Sequence, residues 1–484
     1  MLKRIASIAV GLALILAPTV QAANASPSLS VASKAATGGS LGLSLVPVST
    51  SYSLAVWAEA KTPSSYKLMA AKVSAAGKFS PATKVADITS AFQTLPHFEI
   101  AVSPKKSTQI AWVNSSKTVE YGTTYYHSDL MFTSSADGAK WSKPAKAATS
   151  GKTSMDFCSQ AVCGYVVTAL SYDKSNRLNL VYAMSASMTK ISIIATSTLD
   201  LKTWTKPTLV IGSRVSWLAP TTRIAPTATG LIAAGLDTSS QRDGIWASVK
   251  AKSSATTWSA ATQIASACAV TCHMSLIHLI PSSNGDVTVA WLETTAARST
   301  LQLNSVAWSH VTKTWGAETT LYTGQSIVSY PYEQSSDENQ NANHAQNGSR
   351  YVFTWAENQL DTNAANFNAL DYKAAVFTNG VFSNILDVHH QDAQGTPGSF
   401  WRSGLAISST GVVAEILADL TDSAAFVSEV SATSPAVETT LLVDLPTLSG
   451  SALAYNANGK LLVMQTSRNQ NTATASRMIS ILNH

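Results

Sequence analysis

An alternating apolar segment recurs along this chain about every 50 to 70 residues. Many copies carry a Trp, and most end in an acid or an amide. A repeat of fixed length is typical of an architecture built from stacked copies of one unit. The copies are LAVWAE (54–59), QIAWVN (109–114), LNLVYAM (178–184), LIAAGLD (231–237), VTVAWLE (287–293), YVFTWAE (351–357), VVAEILAD (412–419) and KLLVMQ (460–465).

Each repeat contains three further apolar runs around the Trp segment. One run precedes it across a turn rich in Gly, Asn, Ser and Asp, as in SSNGD (282–286). A third run follows a polar loop, and a turn that ends in an aromatic residue leads to a short fourth run. Short alternating runs separated by turn residues indicate four antiparallel strands.

A unit of this kind buries both of its faces only when copies stack around an axis. We therefore predict an all-β propeller of four-stranded antiparallel blades in a single domain, residues 26–484. Counting the Trp segments favours eight blades, with seven blades and a terminal extension as the alternative. The last unit lacks a clear outer strand, and SPSLSVAS (26–33) is the segment expected to supply it and close the ring.

Residues 1–25 have the three parts of a secretory signal peptide. Lys3 and Arg4 form the basic start, an apolar run follows, and cleavage is expected after Ala22 or Ala25. The apolar run is too short to favour the alternative of a membrane anchor. We therefore expect the mature protein to be secreted or extracytoplasmic, and not to span a membrane.

The composition fits a folded protein of 484 residues in which 45% of residues are hydrophobic and 13% are charged. The formal net charge is +5, but no Lys/Arg cluster of the kind found in nucleic-acid-binding proteins is present. Nucleic acid is therefore not an expected partner. We expect a monomer that needs no cofactor.

Four cysteines occur as two close pairs, Cys158 with Cys163 and Cys268 with Cys272. Two local disulfides are expected, since cysteines near in sequence meet with little chain folding. The alternative is a metal site of four thiolates, which an oxidising compartment disfavours.

The turn that ends in an aromatic residue carries a family resemblance. Ser135, Asp137, Gly138 and Trp141 follow a Ser-x-Asp-Gly-x-x-Trp order, and Ser197, Asp200 and Trp204 follow it more loosely. This pattern resembles the Asp-box (BNR) repeat of the sialidase-like β-propellers. The resemblance implies that these turns lie away from the ligand face, that the Asp accepts backbone hydrogen bonds, and that the Trp packs between blades. The structural residues expected on this basis are Asp137, Trp141, Trp204, Trp258 and Trp315.

The same resemblance implies an alternative function as an exo-α-sialidase. Sialidases hold the substrate carboxylate with three arginines and use a Tyr–Glu nucleophile pair. Tyr330 and Glu333 are the weak candidates for that pair, and Arg402 is a candidate for the carboxylate site. The chain departs from the family because it lacks the Arg-Ile-Pro start of the first inner strand.

The acids and amides that end the Trp segments form one row of candidate site residues. Carboxylates that converge near a channel bind a cation or act as acid and base. One interpretation of the row is therefore that it binds a structural cation such as calcium. The other interpretation, which we favour, is that each side chain accepts backbone N–H groups from a loop of its own blade. The row comprises Glu59, Asn114, Asp237, Glu293, Glu357, Asp419 and Gln465.

A second set of candidates breaks the repeat. Aromatic rings stack on sugars and planar polar groups bind hydroxyls, so these residues predict a glycan or cell-surface polymer as the ligand. A non-catalytic protein-interaction scaffold of the cell envelope is a further alternative. The predicted ligand-binding residues are His97, Glu99, Arg214, Trp217, Arg223, His389, Asp392, Trp401 and Arg402.

Overall fold

The computed structural model describes most of the chain after the predicted leader. Residues 1–25, Trp217, Tyr330, Glu333, Cys158 and Cys163 lie outside the described residues. The described ranges are 28–38, 40–91, 97–149, 153–154, 165–187, 190–214, 222–237, 243–269, 272–294, 300–325, 344–360, 367–392, 400–419, 424–441, 448–468 and 474–483.

The first half of the described chain forms the initial strand and four sheets. The strands are β1 (Ser28–Gly38); in sheet 1, β2 (Ser40–Pro47), β3 (Tyr52–Thr62), β4 (Ser65–Ser74) and β5 (Thr83–Thr89); in sheet 2, β6 (Phe98–Val102), β7 (Thr108–Glu120), β8 (Thr123–Ser135), β9 (Ala145–Thr149) and β10 (Thr153–Ser154); in sheet 3, β11 (Tyr165–Tyr172), β12 (Leu178–Ser187), β13 (Lys190–Thr198) and β14 (Thr208–Arg214); and in sheet 4, β15 (Arg223–Pro226), β16 (Leu231–Asp237), β17 (Gly244–Lys250) and β18 (Thr262–Ser266).

The second half continues the same order of strands. These are, in sheet 5, β19 (His273–Pro281), β20 (Val287–Thr294), β21 (Thr300–Trp308) and β22 (Thr319–Gln325); in sheet 6, β23 (His344–Asn347), β24 (Arg350–Leu360), β25 (Phe367–Thr378) and β26 (Val381–Asp392); in sheet 7, β27 (Phe400–Ile407), β28 (Val413–Asp419), β29 (Ala424–Ser431) and β30 (Ser434–Thr440); and in sheet 8, β31 (Leu448–Tyr455), β32 (Leu461–Arg468) and β33 (Thr474–Asn483) together with β1.

The all-β propeller of antiparallel blades is confirmed. Seven of the sheets have four strands, in agreement with the alternative of seven blades. Within these sheets the strands follow chain order from the inner to the outer strand, except in sheet 8, where β1 is the outer strand. Eight four-stranded blades are not found, because sheet 2 has five strands. Its outer edge is divided: β9 pairs with one part of β8 and β10 with another.

The ring is held together by apolar contact between neighbouring sheets. Each main cluster of buried residues draws its members from two adjacent sheets, for example Trp57 of sheet 1 with Met464 of sheet 8. The second strands are buried on both faces, as the continuous burial of Leu54–Ala58 shows. A strand whose two faces are covered by neighbouring sheets has a nearly continuous apolar sequence for this reason.

The N-terminal strand closes the ring. β1 runs antiparallel to β33 from the pair Ser28–Asn483 to the pair Gly38–Thr474. The first described strand of the chain thus forms the outer edge of the last sheet, as the sequence predicted. This arrangement covers an edge that would otherwise present unpaired backbone groups.

Sheet 2 also carries an arm that the repeat did not predict. β7 and β8 pair along thirteen residues each and meet at a two-residue turn, Tyr121 and Gly122, both with positive φ. Tyr121 is fully exposed at the tip.

The described residues contain no helix with the length and apolar character needed to cross a membrane.

We predict that a chain beginning at Ser40 melts at least about 5 °C below a chain beginning at Ser28. Removal of β1 leaves β33 with an unpaired edge, which also favours association between chains. Differential scanning calorimetry with light scattering measures both effects. Equal melting temperatures and equal scattering would show that β1 does not stabilise the ring.

Candidate functional site

The acids and amides that end the Trp segments form contacts within and between sheets. In three sheets the indole N–H of the Trp donates to the side chain two residues later, which lies on the same face of the strand. The N···O distances are 3.0 Å for Trp57–Glu59, 3.0 Å for Trp112–Asn114 and 2.8 Å for Trp355–Glu357.

These side chains also reach the preceding sheet. Asn114 accepts the N–H of Thr89 at the end of sheet 1, and Glu357 accepts the hydroxyl of Tyr322 in sheet 5 at 3.1 Å. The expectation that each acid serves a loop of its own blade is wrong for these residues. The reason is geometric, since the Trp-bearing face packs on the preceding sheet and the acid lies on that face.

Glu293 differs from Glu59 and Glu357 because it does not accept the indole N–H of the Trp two residues before it, Trp291. Its carboxylate accepts the backbone N–H of Cys268 and the side-chain amide of Asn304, and the indole N–H of Trp291 has no hydrogen-bond partner among the described residues.

Cys268 and Cys272 form a disulfide, the pairing expected from their proximity in sequence. Since both sulfurs are bonded to each other, this cluster offers no thiolate to a metal, and a site built on free thiolates is excluded for this pair.

Glu357 is one of the buried members of the row. It is 4% exposed, and burial raises the pKa of its carboxyl, while the hydrogen bonds from Trp355 and Tyr322 act in the opposite direction. Burial also raises the pKa of Tyr322, and the nearby charge of Glu357 raises it further. The pair is therefore a structural hydrogen bond between a neutral phenol and a buried carboxyl.

The aromatic turns lie at the other end of the sheets. Asp137 accepts the backbone N–H groups of Ala139 and Lys140, both at 2.9 Å, and these bonds lower its pKa to about 2. Asp200 caps its own turn in the same way, with the N–H groups of Lys202 and Thr203. The aromatic residues that follow these turns pack on clusters between sheets, namely Trp141, Trp204, Trp258 and Trp315.

Strand direction defines the two ends of each sheet. Strands one and two, and strands three and four, are joined at one end, here called the turn end. The connections between sheets and between strands two and three lie at the opposite end, called the loop end. The arm that carries Tyr121 belongs to the loop end.

The predicted ligand-binding residues separate into three groups. His97, Glu99, Arg223 and His389 have described side chains. Four others lie on strands, but their side chains fall outside the described part: Arg214 ends β14, Asp392 ends β26, and Trp401 and Arg402 are in β27. Trp217 lies outside the described residues, and so do Tyr330 and Glu333, so the nucleophile pair stays a prediction.

His389 lies on an outer strand. Its ring is between Tyr372 and Phe426, with centroid distances of 5.8 and 4.8 Å, and its Nδ1 contacts Glu438 of sheet 7. His390 contacts Asp371 of its own sheet instead. His389 therefore joins sheets 6 and 7 and is remote from the inner strands.

The inner strands bring a set of polar residues to one level of the central channel. Inner strands of most adjacent sheets contact one another, among them β15 of sheet 4 and β19 of sheet 5. Counted from the turn end, the fourth residue pair of the inner strand contains Glu99 in sheet 2, Arg223 in sheet 4, His278 in sheet 5 and His344 in sheet 6. Three consecutive sheets thus place Arg223, His278 and His344 at the same height. Together with Tyr351, we call these residues the channel cluster.

His278 is the buried centre of the channel cluster. It is 3% exposed, stacks on Phe353 with a centroid distance of 4.2 Å, and its Nδ1 is 3.0 Å from the Tyr351 hydroxyl. Its Nε2 has no hydrogen-bond partner among the described residues. A β-bulge between Ser275 and His278, with Leu276 at φ 47°, sets the position of this ring. Bulges often redirect side chains near functional sites.

Electrostatics connect the members of the cluster. Burial holds the pKa of His278 well below its ordinary value, and the charges of His344 and Arg223 lower it further. Burial raises the pKa of Tyr351, against the effect of Arg223. At neutral pH the cluster therefore combines an arginine cation with a neutral imidazole and a neutral phenol.

The opposite side of the ring carries a separate pair. His97 Nε2 lies 3.1 Å from Glu99 Oε1, and both side chains are partly buried. Sequence reasoning identified Glu99 and Arg223 but missed the two histidines and Tyr351. His278 was hidden in the apolar run SLIHLIPS, and His344 in a polar segment that reads as an insert.

The comparisons with known proteins do not assign a family. No protein-family model and no curated protein sequence matches this chain. Among solved structures, it is similar to a GH93 alpha-L-arabinofuranosidase of Fusarium graminearum (10% identity, 79% of this chain and 92% of that chain, TM-score 0.36) and to an alpha-L-arabinanase of Penicillium chrysogenum (12%, 80% and 92%, 0.37).

A third similar structure is a polysaccharide lyase, the PL25 ulvan lyase (9% identity, 86% of this chain and 96% of that chain, TM-score 0.45).

We predict that replacing Glu357 by Gln changes the pH dependence of stability. Because the pKa of Glu357 is raised in the folded state, its contribution to stability is full below the unfolded pKa and is lost as pH rises through the folded pKa. E357Q does not titrate, so its stability relative to the wild type should rise over that interval.

Urea denaturation from pH 4 to 8 measures this difference, with E59Q as the matched control at the equivalent position in sheet 1. A constant difference between E357Q and the wild type across the series would contradict the assignment of the raised pKa.

Proposed function

We propose that this protein is an exported propeller that binds an acidic glycan through the channel cluster. The observation that carries the proposal is that three consecutive inner strands place Arg223, His278 and His344 at one level of the channel, with Tyr351 beside them. Export rests on the sequence of residues 1–25.

The chemistry of the cluster favours an acidic group over a neutral one. The guanidinium of Arg223 forms a planar fork of donors that matches a carboxylate or a sulfate. The imidazoles and the phenol supply further polar groups, and the buried ring of Phe353 supports the ring of His278 by stacking. An anionic sugar with a hydroxyl-bearing ring meets this combination of charge and polarity.

The sialidase alternative requires three arginines around one tyrosine. Of the arginines with described side chains, Arg223 is in the channel cluster, whereas Arg177 and Arg350 lie at the turn end, where Arg350 donates to the backbone of Ser409. Tyr330 lies outside the described residues. The binding function therefore has the stronger support from the described contacts.

We predict that R223Q weakens binding to acidic polysaccharides at least about tenfold, because a hydrogen bond to a charged group contributes about 1.5–3 kcal/mol. Isothermal titration calorimetry with polygalacturonate, alginate and a sulfated glucan measures the effect, and dextran serves as the neutral polymer. R350Q is the matched control, since it removes the same charge at the turn end. Equal losses in both variants, or equal binding of dextran, would contradict the proposal.

A second candidate function is cleavage of the bound glycan by β-elimination. The observation that favours it is the His278–Tyr351 contact, in which the buried Nε2 of a neutral imidazole has no hydrogen-bond partner in the described part of the chain. With Nδ1–H donated to the Tyr351 oxygen, Nε2 is an acceptor for a proton. In a uronate, Arg223 would neutralise the carboxylate, which acidifies the adjacent C–H bond.

The reaction would proceed without a co-reactant. Nε2 takes the proton from C5, the electron pair of the C–H bond forms the C4–C5 double bond, and the C4–O bond breaks. The leaving oxygen then takes a proton from solvent. The products are an unsaturated uronate and a shortened chain.

For this candidate we predict that the wild type releases an unsaturated product that absorbs in the ultraviolet. H278Q should lower this activity at least about a hundredfold and lower polysaccharide binding much less, since a positioned general base contributes about 10²–10⁴-fold. Absorbance assays and calorimetry on the same samples separate the two effects. Binding by the wild type without any unsaturated product would reject elimination and leave the binding function intact.

A further inference from the structure

A second polar cluster lies at the turn end, between sheets 3 and 4. Lys250 is the last residue of β17 and is 5% exposed. Its Nζ lies 3.5 Å from the Oδ1 of Asn179 in β12, at the outer limit of a hydrogen bond. An ammonium group has three donors, so this single long contact leaves most of its capacity unused.

The one carboxylate nearby is engaged by its own turn. Asp173 Oδ1 accepts the N–H and hydroxyl of Ser175 and the N–H of Arg177, at 2.9, 2.7 and 3.0 Å. Asp173 Oδ2 accepts the amide of Asn179 at 3.3 Å. These bonds hold the β11–β12 turn, and they leave the carboxylate little capacity to bind the ammonium of Lys250.

A second cation completes the cluster. The buried Nε of Arg177 has no hydrogen-bond partner among the described residues. Burial lowers the pKa of Lys250, the charge of Arg177 lowers it further, and Asp173 acts in the opposite direction. Two cations therefore share one cleft with a single carboxylate.

We propose that this cleft is a binding site for a small oxyanion, held by the ammonium of Lys250 and the guanidinium of Arg177. Buried charges are usually paired and hydrogen-bonded, because an unpaired one is costly to remove from water. An oxyanion supplies the acceptors that Lys250 and Arg177 lack, and charge-assisted bonds to such groups are strong. Sulfate, phosphate and a carboxylate share this chemistry.

The site is separate from the channel cluster. It lies at the turn end between strands β12 and β17, whereas the channel cluster is formed by the inner strands of sheets 4 to 6 and the adjoining Tyr351. An anion bound here contacts residues of two neighbouring sheets, so it should stabilise their packing. Binding to the folded state alone raises stability in proportion to the logarithm of ligand concentration.

The test is a thermal titration of the full chain with sodium sulfate, sodium phosphate and sodium acetate at constant ionic strength, with chloride as the reference anion. We expect the melting temperature to rise and then saturate at millimolar concentrations of at least one oxyanion. K250M should weaken the apparent affinity at least about tenfold. K252M, two residues later and exposed, should leave it unchanged.

R177Q is the second variant and keeps the test informative if K250M does not fold. It should weaken the affinity as K250M does. A rise that is linear in salt and equal in all variants would mean general salt stabilisation and would overturn the proposal. No shift beyond that of chloride in the wild type would overturn it as well. Loss of polysaccharide binding in R223Q bears on the channel cluster alone.

Discussion

Contact between neighbouring sheets is the constraint on which this structure depends. No single sheet buries both of its faces, and each gains a core only from the sheet beside it. A fully buried aromatic or large aliphatic side chain contributes about 1.5–3 kcal/mol, so the tryptophans of the second strands are central to every interface in which they occur. The acid two residues later adds a polar contact to that interface, because it lies on the same face and meets the preceding sheet.

This arrangement separates the residues that stabilise the ring from the polar residues of the inner strands. The second strands are buried on both faces, and the aromatic turns are bound by their own aspartates. The inner strands line the channel and tolerate polar residues on one edge. Arg223, His278 and His344 are at that edge, in consecutive sheets. A ligand in the channel would therefore meet residues from several repeats at once, although no single repeat contains a complete site.

Much of the fold could be predicted from the sequence because the apolar positions of the repeat coincide with buried strand positions. The alternating runs predicted the four-stranded blade, and the missing strand of the last unit predicted the closing role of the N-terminal segment. The site was harder to predict, because His278 sits in a run that periodicity marks as core, and its position depends on a bulge. His344 follows a long polar segment, and the inner strand β23 that contains it has only four residues, too short for an alternating pattern to mark it. Tyr322, which donates to Glu357, is in the preceding sheet, and Cys268, which donates to Glu293, follows the last strand of the preceding sheet, at sequence separations that no local pattern reports.

We propose that ligand recognition occurs at the channel cluster, where the repeat is broken. A crystal structure of the protein with a bound acidic oligosaccharide would show the binding site. We predict an acidic group of the ligand within hydrogen-bonding distance of Arg223 and a sugar ring beside the inner strands of sheets 4 to 6. A ligand bound on the outer strands or over the aromatic turns, with Arg223 uninvolved, would contradict it.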